Sequence, residues 1–149
     1  MANKDYTYND FEKGIDKIYN NIMAVGNPFN RIIGLTRGGL IPAVVLSHKL
    51  EIPLTPLQWS NSEDGEKEFV EWITDDLNQG QKMLIVDDIV DSGKTISGLL
   101  ESWGDFPKEN VSIASLIYNT DQEVLVDFFD TCIERSKEKS WFNFWWEAL

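Results

Sequence analysis

The chain has 149 residues, 42% of them hydrophobic, which is long and apolar enough for one domain with a sizeable core and excludes a disordered chain. Thirteen basic residues against 25 acidic ones leave a net charge of −12. That charge repels a nucleic-acid backbone, whose binding needs Lys and Arg at the phosphates, so no nucleic-acid partner is expected. A single cysteine, Cys132, excludes an internal disulfide framework, suits a reducing compartment, and reads as a small hydrophobe, buried or half-buried. The opening MANKDYTYNDF carries no apolar segment of the signal-peptide kind, and no apolar run approaches the roughly 20 residues of a membrane span. A cytoplasmic protein without a membrane partner is expected.

The elements alternate along the chain. Phe11, Ile15, Ile18 and Ile22 fall on one face of a helix, with Asn9 as its expected cap and Gly26-Asn27-Pro28 as its stop. Arg31 to Leu35 is a short strand, Thr36-Arg37-Gly38-Gly39 a tight loop, and Leu40 to Leu50 a helix that tolerates Pro42 in its first turn. Leu54 to Leu57 is a strand weakened by Pro53 and Pro56. Gln58 to Lys67, QWSNSEDGEK, is polar and without period, and Phe69 to Leu77 is helical. Lys82 to Val86 is a continuous apolar run and so a buried strand; Thr95 to Trp103 is a helix and Val111 to Ile117 a strand. Val124 to Phe129 is a further strand, and the aromatic tail WFNFWWEAL a last one packed over the body. The alternation predicts an α/β fold, a parallel central sheet with helices on both faces. Ligands of such sheets sit outside the carboxyl ends of the strands. The loops TRGG and DDIVDSGKT both leave strand ends and enter helices there.

The second loop ends like a P-loop, with Gly93, Lys94 and Thr95 opening a helix, but Asp88 stands where the first glycine of GxxxxGK[ST] is required. A nucleotide triphosphatase is therefore disfavoured. Asp91-Ser92-Gly93-Lys94-Thr95 offers a helix start, whose unpaired N–H groups and dipole favour one phosphate monoester. Asp87 and Asp88 lie just before it. Carboxylates accept from vicinal hydroxyls and help hold Mg²⁺, which takes one or two of them plus phosphates and water. A sugar 5-phosphate fits that order. Arg37, Gly38 and Gly39 make a second anion site. Two anion sites flanking a diol and a metal describe a sugar with phosphate at one end and pyrophosphate at the other.

Val86 to Thr95, VDDIVDSGKT, resembles the phosphoribosyl pyrophosphate (PRPP) signature of type I phosphoribosyltransferases, and Gly34 to Pro42, GLTRGGLIP, resembles their pyrophosphate loop. The chain is most similar to the compact xanthine-guanine and hypoxanthine-guanine purine enzymes: Trp141 to Glu147, WFNFWWE, resembles their base-stacking segment, an aromatic followed six residues later by an acid. The resemblance implies a single domain over 1–149, with a small hood from the chain ends, the C-terminal tail from about residue 120 contributing most. It implies Mg²⁺-dependent displacement of pyrophosphate from PRPP by a base nitrogen, in purine salvage, by a homodimer or homotetramer.

Carried over by position, Asp87 and Asp88 would hold ribose hydroxyls and the metal, with Glu147 a second, weaker metal-side carboxylate. Asp91 would shuttle a purine proton. Ser92, Gly93, Lys94 and Thr95 would bind the 5-phosphate. Thr36, Arg37, Gly38 and Gly39 would bind pyrophosphate, in a loop that in this family can hold a non-proline cis peptide. QWSNSEDGEK matches the mobile lid, from which Lys67 would reach pyrophosphate. Trp141 would stack on the base and Phe142 offer backbone groups to its edge, whereas Trp145 and Trp146 read as packing. His48 reads as structural. One departure stands out: the 6-oxopurine enzymes carry a lysine after the strand placed at 111–117, and here the run is Tyr118-Asn119-Thr120. Asn119 or the Tyr118 hydroxyl is then expected to read the base, and an amide can also accept from an exocyclic amine, which leaves adenine open. The other readings are a PRPP- or nucleotide-sensing regulator on the same fold and a pyrimidine phosphoribosyltransferase.

Overall fold

The computed structural model describes residues 3–60, 67 and 70–148. Its centre is a five-stranded parallel sheet, β3-β2-β4-β5-β6, made of β2 (Arg31–Thr36), β3 (Leu54–Gln58), β4 (Met83–Val90), β5 (Val111–Asn119) and β6 (Phe128–Ile133). Helices α1 (Tyr8–Ala24) and α2 (Leu40–Leu50) cover one face, and α3 (Glu71–Asn78) and α4 (Lys94–Ser102) the other. The period-2 geometry of a strand divides β4 between two cores. Leu84 and Val86 pack with Ile15, Ile18, Ile22 and Leu46, whereas Met83 and Ile85 pack with Ile73, Leu77, Ile96 and Leu99. Among the described residues no helix is long and apolar enough to cross a membrane.

Several boundaries differ from the sequence reading, each for a visible reason. The cap of α1 is Thr7 and not Asn9: Thr7 Oγ1 accepts from Asp10 N (3.1 Å) while Asp10 Oδ2 accepts from Thr7 N (2.9 Å), a reciprocal capping box. Strand β3 forms despite its prolines because it is an edge strand, paired to β2 alone, with Pro56 opposite Gly34. Strands β4 and β5 run on past Val86 and Ile117, since Asp87, Ile89 and Val90 continue to pair with Ser115, Ile117 and Tyr118. The β6 strand begins at Phe128, not Val124; the earlier apolar residues Val124 and Val126 pack into the α3/α4 core. Helix α3 starts at Glu71, and Phe69 lies outside the described residues. Of QWSNSEDGEK, Gln58 ends β3 and Trp59 bridges to Lys67; residues 61–66, where the lid was expected, lie outside the described residues. Cys132 is exposed, on edge strand β6.

Both chain ends meet over the sheet. β1 (Asn3–Tyr6) pairs in parallel with β7 (Trp141–Phe144), and a 3-10 turn, Trp145–Glu147, follows. Their aromatics pack onto α1: Phe144 lies edge-on to Tyr6 and stacks on Trp146, and Phe11 meets Trp145 and Trp146. The anchor of this hood is polar. Tyr6 Oη donates to Asp130 Oδ2 at 2.7 Å, directly over Gly14, where a Cβ would lie 2.4 Å from that hydroxyl oxygen. Burial, with Asp130 beside it, pushes the Tyr6 hydroxyl far above its ordinary value, so it stays a donor at every working pH. Tyr6→Phe is expected to cost about 1.5–3 kcal/mol, the worth of a hydrogen bond to a charged acceptor. Urea denaturation at pH 7 measures it, and an unchanged unfolding free energy would show the hood anchored otherwise.

Candidate active site

The carboxyl ends of β2 and β4 lie side by side at the centre of the sheet, and the two loops leaving them touch. Gly38 and Gly39 are required by that contact. A Cβ on Gly38 would fall 2.0 Å from Asp88 Oδ2; one on Gly39 would meet Val86 O at 2.6 Å and Leu35 O at 2.7 Å. The Thr36–Arg37 peptide bond in this loop is cis. Neither α2 nor α4 has a side-chain cap at its N-cap residue; Leu40 N donates to Arg37 O (3.1 Å), Pro42 has no N–H, and Lys94 N donates to Ser92 Oγ (3.3 Å), so the α4 start is the better placed of the two to offer its remaining first-turn N–H groups to an anion. Gly93 opens α4 at φ +79°, a left-handed conformation that suits glycine, and a Cβ there would lie 2.3 Å from Gln122 Oε1.

Asp87 and Asp88 are half-buried at the end of β4. Asp87 Oδ1 accepts from Asp88 N (2.9 Å), and Asp88 Oδ1 from Ile89 N (2.7 Å). Burial pushes both carboxyls above the ordinary carboxylate range; repulsion from Asp88 adds to the shift of Asp87, and Glu147 adds to that of Asp88. Among the described residues there is no cluster of three or more metal-ligating side chains. The pair alone still fits Mg²⁺, which takes one or two carboxylates and completes its shell with substrate oxygens and water.

Two cavities flank Asp91. A small one, about 90 Å³, is lined by Asp87, Asp91, Ser92, Gly93 and Thr95. A second, about 220 Å³, is lined by Asp88, Asp91, Arg135, Trp141, Phe142 and Glu147. The acid pair, the phosphate-loop residues, Trp141, Phe142 and Glu147 thus come together. Trp141 is 56% exposed and presents a free ring, while Trp145 and Trp146 pack against the α1/α2 core as expected. Glu147 Oε1 accepts from Phe144 N at 3.0 Å, so its carboxylate also fixes the turn. Lys94 and Arg37 are exposed. Lys67 lies over the Trp59 ring, and it lines neither cavity.

Tyr118 and Asn119, the expected readers of the base, lie outside the second cavity. Tyr118 is buried in the α3/α4 core against Phe129. Asn119 is 5% exposed, and three of the four hydrogen-bonding positions of its amide are used internally: Nδ2 donates to Asp91 O (2.8 Å), and Oδ1 accepts from Asp121 N (3.0 Å) and Arg135 N (3.1 Å). Neither lines the second cavity. The cation that does so is Arg135, which sequence reasoning missed. Its Nε and Nη2 donate to the two Asp91 carboxylate oxygens at 2.9 and 3.1 Å, and its Nη1 donates to Ser140 O (2.6 Å) and Glu138 O (3.2 Å). One signal was present: Arg135 is one of only three arginines, set among lysines in ERSKEKS, and a forked guanidinium is the preferred partner for a fixed carboxylate.

Residues 6–148 match the phosphoribosyl transferase domain family. Among solved structures, the chain is similar to a purine phosphoribosyltransferase from Pyrococcus horikoshii, 26% identical with a TM-score of 0.77, over 100% of this chain and 96% of that one. A xanthine-guanine-hypoxanthine phosphoribosyltransferase of Helicobacter pylori shares the fold at 19% identity and TM-score 0.72, over 98% and 93% of the two chains. A Neisseria gonorrhoeae protein with bound ppGpp does so at 24% identity and TM-score 0.72, over 100% and 92%.

The acid pair carries a pH signature. Burial raises the Asp87 carboxyl in the folded chain, so the folded chain binds a proton there more readily than the unfolded chain, and stability falls as pH rises from about 4 through the raised folded value. Asp87→Asn keeps an oxygen for Asp88 N and removes the charge. In metal-free buffer the variant is expected to melt above the parent at pH 7, the gap closing toward pH 4. Each pKa unit is worth about 1.4 kcal/mol, or roughly 3–6 °C at this chain length. Parallel melting curves across that pH range would contradict the assignment.

Proposed function

The chain belongs to the phosphoribosyl transferase domain family and is an enzyme of the glycosyltransferase type, and we propose that it moves the 5-phosphoribosyl group of PRPP onto a purine base, releasing pyrophosphate, in purine salvage. The observation that carries the reading is the order of sites around Asp91: uncapped α4 start, paired carboxylates, TRGG loop against Asp88, and a cavity beneath an exposed tryptophan. Phosphate, ribose diol, pyrophosphate and base follow the same order in the substrates.

In this reading the first-turn N–H groups of α4, with the Ser92 and Thr95 hydroxyls, hold the 5-phosphate. Asp87 and Asp88 accept from the ribose hydroxyls. The TRGG loop receives the leaving pyrophosphate on its backbone N–H groups and Arg37. The purine stacks on Trp141 and borders Phe142. The C1–O bond to pyrophosphate breaks as a ring nitrogen forms the C1–N bond, and the proton of the second imidazole nitrogen passes to Asp91. Asp87 and Asp88 would hold Mg²⁺, with Glu147 as a weaker third carboxylate, and the ion would supply charge neutralisation for the pyrophosphate.

Pyrophosphate release from PRPP and Mg²⁺ with guanine, hypoxanthine, xanthine, adenine, uracil and orotate in turn tests the proposal. Turnover with at least one purine is expected. Asp88→Asn should weaken use of Mg-PRPP, and Asp91→Asn should lower kcat by about 10²–10⁴, the range for a proton-transfer group, with less effect on PRPP binding. PRPP binding without pyrophosphate release from any of the six would replace the transferase by a PRPP sensor. Turnover confined to uracil or orotate would overturn the purine assignment.

A further inference from the structure

The second cavity holds one cation whose role the reaction above does not assign. Arg135 enters it from the segment after β6, with its side chain only 20% exposed. A guanidinium has five N–H donors and no acceptor. Four of the five are engaged: Nε and one Nη2 hydrogen on Asp91, and the Nη1 hydrogens on Ser140 O and Glu138 O. Among the described residues one Nη2 hydrogen is left without a protein acceptor. The group is held in place from three sides. Asn119 grips the backbone of both Asp91 and Arg135, the Ser140 and Glu138 carbonyls fix Nη1, and the guanidinium carbon lies 5.7 Å from the Phe142 ring centroid. Tyr118 and Asn119, at the end of β5, do not reach the cavity.

We propose that Arg135 selects the base, favouring a purine with an oxygen on the carbon beside the imidazole ring over one with an amine there. This rests on the purine transfer reading above. The Arg135–Asp91 pair presents a donor and an acceptor side by side. A 6-oxopurine base offers the complementary pair on neighbouring ring positions, O6 on C6 accepting and, in the tautomer that reacts through N9, N7–H donating; in the nucleotide N7 has no proton and only the contact at position 6 distinguishes the two classes. A 6-aminopurine still donates from N7 to Asp91, but sets its NH₂ hydrogens against a group with nothing to accept them. A desolvated donor left facing a donor is what makes a polar site reject an analogue. Where the 6-oxopurine enzymes that the sequence resembles carry a lysine, this chain has Asn119, and the cation at the base edge comes instead from the segment after β6.

The test combines two readouts on the parent, Arg135→Lys and Arg135→Gln: kcat/KM for hypoxanthine and adenine with PRPP, and calorimetric Kd values for IMP and AMP. Thermal melts check folding. The parent is expected to favour the 6-oxo partner in both. Arg135→Lys, still a donor-only cation, should keep the preference while losing turnover with its grip on Asp91. Arg135→Gln, whose amide both donates and accepts, should lower the 6-oxo to 6-amino ratio about tenfold or more, with PRPP affinity within about twofold. Equal losses for both bases in Arg135→Gln would make Arg135 a structural clamp and overturn the proposal. So would a parent with no preference in either readout, whether or not any variant folds. If no base yields pyrophosphate, an IMP preference that depends on Arg135 retains the inference while the transferase reading falls; no such preference overturns both.

Discussion

Two adjacent carboxylates partly withdrawn from water at the end of β4 set the terms for this edge of the molecule. Burial favours the neutral form of both, with repulsion from Asp88 adding at Asp87 and from Glu147 at Asp88, so the fold carries a standing cost there. What surrounds them keeps that cost tolerable. The backbone of Gly38 comes within reach of Asp88 with no Cβ between, and Gly39 lies against the β2 and β4 backbone. Helices α2 and α4 start on either side, and the positive ends of their dipoles favour negative charge nearby. An anion-rich ligand bound with a divalent cation is the natural complement: the cation answers the acids and the phosphates answer the helix starts.

The hood is tied to this edge through a closed circuit of polar contacts. Asn119 joins the end of β5 to the backbone of Asp91 and of Arg135; Arg135 returns to the Asp91 carboxylate and reaches on to Ser140, the residue before Trp141. Lys4 pairs with Glu138 at 2.5 Å, and β1 pairs with β7, so the N-terminal strand braces the same segment. The backbone just before Trp141 and the Asp91 carboxylate are thus held by one guanidinium. A change in the tail is transmitted to Asp91 without any new contact, because the fork cannot shift toward one partner and keep the other.

Much of this was readable in the sequence, for reasons that also explain what was not. Parallel strands buried on both faces appear as continuous apolar runs, and the bounds of α2 follow from its loop and its apolar content alone. The VDDIVDSGKT segment is legible because its residues act within one turn of each other. β1 is not: NKDY is polar, three of its four residues are exposed, and it becomes a strand only because WFNF lies beside it. The strand assigned to Val124–Phe129 slipped because an apolar stretch can fill a core without joining a ladder. Asn119 shows a different limit. Its amide was visible as a donor and acceptor, but that it is buried and already bonded to Asp91, Asp121 and Arg135 depends on chain segments up to 28 residues away. Arg135 acts on a carboxylate 44 residues back in the chain, a distance at which spacing carries no signal.

On the proposed reading of Arg135, the cation that the resemblance led one to expect at the end of β5 is relocated to the segment after β6 rather than lost. A lysine ammonium is a compact charge on a flexible stem, suited to reaching a base edge alone. An arginine can hold a carboxylate with one side of its fork, two carbonyls with Nη1, and still retain an N–H for a ligand. Relocation has a structural consequence that substitution in place would not. The residue left at position 119 must be short and able both to donate and to accept, because it now ties the backbones of Asp91 and Arg135 together from beneath. Asparagine meets both conditions. A lysine there would supply donors only, leaving Arg135 N and Asp121 N without their acceptor.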